Sequence, residues 1–183
     1  MAEISNLADY FMQALPQQYA AAIANAPASI AEQPPLSAVF EIAGAENGIF
    51  SVRSAGQQIE VQPGDQIEAP NMRVQLSLDD WHTLAASGAT DVFVDYVRRG
   101  KVRVVQGLKG TVQLELTRSD GGLWHSTIIF NSQPDPALTV MMTNDDYQAM
   151  LSGQLNSQMA FLTGKLKFEG SLPLLMQIGA LAS

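Results

Sequence analysis

The 183-residue sequence contains no cysteine, so disulfides, thiolate metal sites and cysteine nucleophiles are excluded. Charge is scarce: Asp, Glu, Lys and Arg make up 15% of the chain, and no Lys or Arg precedes Arg53. Acidic residues outnumber basic ones, 18 to 10, for a formal net charge of −8. That balance argues against binding nucleic-acid backbones and against lasting adhesion to anionic membranes. The N-terminus carries Glu3 and Asp9 without a basic flank and does not resemble a signal peptide. No apolar run approaches the roughly 20 residues that span a bilayer. Together these absences lead us to expect a cytoplasmic protein that makes at most transient membrane contact and binds no nucleic acid.

What is present is apolar. Hydrophobic residues form 46% of the chain, enough for a sizeable core with side chains left over to line a cavity. Leu7, Tyr10, Phe11, Ala14 and Leu15 recur at helical spacing, and Pro16 predicts a kink or a second helix starting near it. Residues 26–35 read as a linker. Ala38, Phe40 and Ile42 alternate with Val39 and Glu41, and a Glu46-Asn-Gly turn leads to Ile49–Arg53, a predicted hairpin. Gln58–Val61 and Met72–Leu78 continue the sheet. A helix is expected from Asp79 to near Gly88. Asp91–Arg99 fits a helix or a strand, and Lys101–Val105 reads as a strand.

Patterns then recur. Phe40-Glu-Ile returns as Leu114-Glu-Leu and Gly48-Ile-Phe as Gly122-Leu-Trp, both 74 residues on. Val74–Asp80 returns as Val140–Asp146 after 66 residues, and Gly100-Lys101 as Gly164-Lys165 after 64. The shrinking offset places a deletion mostly between Trp124 and Val140, where the counterpart of Gln58–Val61 is missing or shortened. The expected organisation is an N-terminal helical segment and linker (1–36), a first repeat (37–108) and a second (109–183), the two repeats packed as one unit.

The second repeat holds the most distinctive pattern. Asp145–Leu151, a glycine, a short helix and Gly164 lead into a strand in which Leu166 and Phe168 oppose Lys165, Lys167 and Glu169. The residues Leu114–Leu116, Trp124, Asp145-Asp146, Leu151–Gly153, Ala160-Phe161, Gly164–Lys167 and Gly170 resemble the sterol carrier protein type-2 family. That resemblance covers Thr111–Leu181 well and Leu7–Gly107 more loosely. It implies an α+β fold, a twisted, mainly antiparallel sheet with helices on one face, and a tunnel between them for a fatty acid, sterol or isoprenoid lipid. It also suggests a partner enzyme or homodimer as an accessory role.

The residues themselves leave two readings of the apolar set Met141, Met150, Leu151, Met159, Phe161, Leu162, Phe168, Leu172, Leu175, Met176 and Ile178. They are either plain core or the lining of a lipid site. Adaptable methionines crowd this half, and Leu172–Leu181 forms a helix almost without a polar face, with Pro173 tolerated in its first turn. Burying a dozen methylenes yields about 10 kcal/mol gross, reduced by the cost of association. We expect ligand binding in the second repeat, with the first as scaffold. The alternative is a filled tunnel in an interaction module.

No catalytic constellation stands out. Asp79-Asp80 and Asp145-Asp146 follow Ser77 and Thr143, an N-cap pattern. His82 and His125 lie in different elements with no metal-ligand spacing, and no Gly-x-Ser-x-Gly elbow occurs. Arg98, Arg99, Lys101, Arg103 and Lys109 read as a solvated face balanced by Asp91 and Asp95. The expectation is a protein without enzymatic activity, metal or cofactor.

Overall fold

The computed structural model describes residues 6–24, 26–86 and 91–182. One eight-stranded sheet runs through both halves in the order β3-β2-β1-β4-β6-β5-β7-β8. Its strands are β1 (Leu36–Ala43), β2 (Ile49–Ala55), β3 (Gln58–Pro63), β4 (Met72–Ser77), β5 (Gly110–Thr117), β6 (Leu123–Phe130), β7 (Ala137–Thr143) and β8 (Lys167–Gly170). Pairing is antiparallel except for β1 with β4 and β5 with β7. Period-2 patterning chooses the buried face: Phe40, Val74, Leu116 and Val140 point toward the helices, while Glu41, Arg73 and Gln75 form a polar network on the other side. The α+β fold with helices on one face of a mainly antiparallel sheet therefore agrees with the sequence.

The halves share a topology. Ile42 pairs with Leu76 across the parallel β1–β4 ladder, and Leu116 pairs with Met142 across β5–β7, at the same 74- and 66-residue offsets found in the sequence. The outer hairpin register differs: Phe40 faces Phe50, whereas Leu114 faces Ser126. No strand separates β6 from β7, where a counterpart of β3 would lie.

The first helices are α1 (Leu7–Asp9), a π-helical turn (Tyr10–Ala14) and α2 (Leu15–Ile23), one continuous rod. The register change sits just before Pro16, whose missing N–H and ring disturb the α ladder there. A short helix, α3 (Ala28–Ala31), interrupts the predicted linker. Helix α4 (Leu78–Ala86) starts one residue early, and its expected end near Gly88 lies outside the described residues. Asp91–Arg99 resolves to helix, as α5 (Val92–Arg98) capped by Asp91.

One strand expectation is corrected. Lys101–Val105 belongs to α6 (Val102–Gly107), although its counterpart in the second half feeds β8. The physical reason is sheet occupancy. β8 hydrogen-bonds the free edge of β7, but the corresponding edge of β4 is already taken by β6. With no ladder to join, Val102 and Val105 bury themselves from a helix instead.

The second half continues through α7 (Asn144–Leu151), α8 (Ser157–Leu162) and α9 (Leu172–Ala182). Close approach fixes α9 to the sheet: a Cβ at Gly110 (φ +122°) would collide with the Pro136 carbonyl oxygen and stand 2.7 Å from Leu174 Cδ2. Among the described residues, no helix is long and apolar enough to cross a membrane.

Candidate functional site: an apolar cavity between sheet and helices

The inner face of the sheet is packed unevenly. In β1 and β2 it is closed: Ala38, Phe40, Phe50 and Val52 are buried, and Phe11 from the π turn stacks on Phe50 with ring centroids 4.3 Å apart. Leu15 and Tyr19 complete that layer. Over β6 and β5, at the centre of the sheet, Leu114, Trp124 and Ile128 are only partly buried although they face the helices. Helix α7, eight residues long, buries none of its side chains fully. An inner face so incompletely covered marks a void.

That void is a cavity of about 1200 Å³. Val74 and Leu76 of β4, Leu114 of β5, Trp124 of β6 and Val140 and Met142 of β7 form its floor. Its roof comes from Trp81 of α4, Val92 and Tyr96 of α5, Tyr147 and Met150 of α7, Phe161 of α8, and Leu175 and Ile178 of α9. Trp124 is held in place by its indole N–H, which donates to the Asp80 carbonyl at 2.8 Å. The helix starts are fixed by their caps: the backbone N–H groups of Asp80 and Asp146 donate to the Ser77 and Thr143 hydroxyls, each at 3.1 Å. The carboxylate doublets thus serve as helix starts, as their spacing predicted.

Eight of the anticipated site residues line the cavity: Met150, Leu151, Phe161, Leu162, Leu172, Leu175, Met176 and Ile178. Met141 does not, because the strand period turns it to the polar face, opposite Glu115 and Lys167. Phe168 sits behind the wall, with its ring 5.7 Å from that of Phe161. Met159 is half-exposed on the outer side of α8. The expectation that the first half is only scaffold also needs correction, since Val74, Leu76, Trp81, Leu84, Val92 and Tyr96 all contribute wall. Alternation in β4 and β5 was the available signal; it identified inward residues without revealing that a cavity lies over them.

Polar wall groups gather on α5. Asp91 is buried, and its carboxylate accepts from the Tyr10 hydroxyl and the Phe93 N–H, both at 2.9 Å. It is therefore no part of a solvated ion-pair face, a correction to the sequence reading. Burial pushes Asp91 above the ordinary carboxylate range, partly opposed by those two hydrogen bonds. Asp95 behaves as expected, pairing with Arg98 and Arg99 at 2.6 and 3.3 Å. His82 and His125 are exposed, on α4 and β6, and no group of three or more His, Asp or Glu suited to a metal occurs among the described residues.

Residues 98–183 match the model of the SCP-2 sterol transfer family. This region is an SCP-2 domain. It begins at the end of α5, so the match takes in the whole second half, and it ties the cavity region to lipid binding and transfer. Hydroxysteroid dehydrogenase-like protein 2 of Bos taurus is 35% identical over 83 residues, 41% of this chain, a match spanning only 20% of that relative. Peroxisomal multifunctional enzyme A of Dictyostelium discoideum is 25% identical over 169 residues, 80% of this chain and 36% of that protein. The chain thus corresponds to a minor part of these larger relatives. The solved structure of sterol carrier protein domain 2 of Helicoverpa armigera is 22% identical, with a TM-score of 0.38 over 48% of this chain and 78% of that one.

Proposed function

We propose that the protein binds and carries a single long apolar ligand, a fatty acid, sterol-like or isoprenoid lipid, in the cavity over β4, β6, β5 and β7. The observation that carries this reading is the open volume of about 1200 Å³ beneath α9, over an apolar floor. Small-molecule pockets commonly measure roughly 300–1,000 Å³, so the space suits a long chain. An empty apolar cavity of this size costs dispersion and hydrophobic energy that a hydrocarbon occupant restores. A tunnel filled by the protein's own side chains, the alternative taken from sequence, would leave no such volume.

Exchange would run through the rim. Leu162, Leu172 and Met176 are 68%, 52% and 72% exposed around the opening, alongside Leu151 and Phe161. Such a rim favours brief contact with a lipid surface, a second copy or a partner enzyme, while the net charge of −8 opposes lasting adhesion to anionic bilayers. The reading assigns no chemistry to the protein: hydrolysis of an acyl ester that disappears on changing His82 or His125 would overturn that part. The matched parallel-ladder registers support reading 37–108 and 109–183 as fused copies packed as one unit behind residues 1–36.

Native mass spectrometry and solvent extraction of the purified full chain test the main reading. Co-purified lipid and saturable displacement of a fluorescent fatty-acid analogue are expected. A lipid-free protein that shows no saturable binding of the analogue refutes it.

A further inference from the structure

The polar groups around the C-terminal end of α5 share the cavity wall with others from α7. Asp95, Tyr96, Arg98 and Arg99 line it from α5 and its cap, and Tyr147 lines it from α7. Arg98 and Arg99 each engage a different oxygen of Asp95. Tyr96 is pushed up by burial, then by Tyr147 and Asp95; Tyr147 is pushed up to about 12 by burial and Asp95. Both phenols line the same cavity and remain neutral O–H donors across the physiological range.

Among the described residues, neither phenol hydroxyl has a hydrogen-bond partner in the protein, and neither is sealed from solvent. Two phenol hydroxyls without a protein partner thus share the cavity wall with one carboxylate whose oxygens are both engaged. At the opposite end of α5 the wall instead presents the buried Asp91 carboxyl, an acceptor.

We propose that Tyr96, Tyr147 and Arg98 form a head-group subsite that takes the oxyanion of a single-chain lipid, a carboxylate or a phosphate monoester. The chain of the lipid then runs over the apolar floor toward Leu175 and Ile178. This deepens the lipid-carrier reading and rests on it. The subsite belongs to neither half alone, since Tyr96 comes from the first and Tyr147 from the second, ahead of and behind the β5–β6 hairpin. Phenols bind such a head without adding charge, and Arg98, half-exposed at the rim, supplies the charge-assisted contact.

Binding of palmitate, hexadecyl phosphate and hexadecanol to the full chain, by displacement of an uncharged fluorescent probe, tests the proposal. At least one oxyanion should bind about tenfold or more tightly than the alcohol. Whichever of palmitate and hexadecyl phosphate binds more tightly identifies the head. The Tyr96→Phe/Tyr147→Phe variant should lose most of that preference while binding hexadecanol like the wild type. Should the double variant not fold, Arg98→Gln carries the same expectation at an exposed position. Equal binding of alcohol and oxyanions, or a preference unchanged in the variants, overturns the subsite and leaves the lipid cavity standing. Failure of all three compounds to bind overturns the lipid reading as well.

Discussion

The two halves build similar ladders and then cover them differently. Over β1 and β2 the N-terminal rod inserts Phe11, Leu15 and Tyr19, and the inner face closes. Over β5 and β7 the covering helices arrive from the C-terminal side, and α7 lies across without burying any side chain fully. The same inward alternation therefore yields a core over β1 and β2 and a cavity over β4, β6, β5 and β7. A sheet face specifies that something apolar must cover it, and the covering element decides whether that something is protein or ligand.

Truncation should separate the halves most strongly. Phe11→Ala removes a stacked, fully buried ring and should cost about 3–5 kcal/mol in urea unfolding. Leu162→Ala and Met176→Ala, at the cavity rim, should stay within about 0.5 kcal/mol of wild type. Comparable losses at both places would break the comparison.

Filling is the reciprocal test. Leu114→Trp projects extra volume into the cavity and should weaken binding of a fluorescent fatty-acid analogue about tenfold or more, with stability changed by about 1 kcal/mol or less. In the closed half, Val52→Trp has no void to enter and should destabilise by about 1–3 kcal/mol or more.

Acidity distinguishes the halves as well. Burial raises Asp91, so the folded state holds its proton more tightly than the unfolded chain does. Its contribution is full below the ordinary aspartate value of about 3.9 and is lost as pH rises through the folded value. Asp91→Asn, whose Oδ1 can still cap α5 while its Nδ2 donates to the Tyr10 oxygen, should therefore gain on wild type as the pH rises above about 4. Asp146 behaves in the opposite sense: Lys165, then the Thr143 hydroxyl, hold it below the ordinary range. Its contribution is present above the unfolded value and fades on acidification through the folded one, so Asp146→Asn should lose stability at neutral pH only. Denaturant midpoints across the pH range check both slopes, the second being small because the pair is exposed.

The smallest contrast sharpens what the halves share. Ser77→Ala and Thr143→Ala remove equivalent helix caps, and each should cost about 1 kcal/mol in thermal unfolding. A large disparity would mean that the two helix starts are not equivalent in energy.

Much of this was legible in the residues. Alternation located β1, β4 and β8, the Glu46-Asn-Gly turn placed β2, the recurring patterns placed β5 and β7, and the Ser-x-x-Asp and Thr-x-x-Asp spacings located α4 and α7. Eight of the anticipated ligand-side residues do line the cavity, because an apolar helix such as α9 has to turn some side chains inward. Met141 was misassigned since a run of adjacent methionines hides which of them the strand period turns in. Tyr96 and Tyr147 could not be assigned to one site from sequence: 51 positions apart, in helices of different halves, they share a cavity wall only because one sheet carries both helices.

The Gly-Lys segments mark the boundary between the two kinds of information. Sequence alone determined that an apolar-polar pattern follows Gly100 and Gly164, that the inner sheet face is greasy, and that Leu172–Leu181 needs cover. Tertiary structure decided that one segment became α6 and the other β8, because β6 already occupied the edge of β4 and left that of β7 free. It likewise decided that the cavity draws on both halves. Strand slots and helix cover are limited resources of the assembled sheet, and which segment obtains them depends on its competitors elsewhere in the chain.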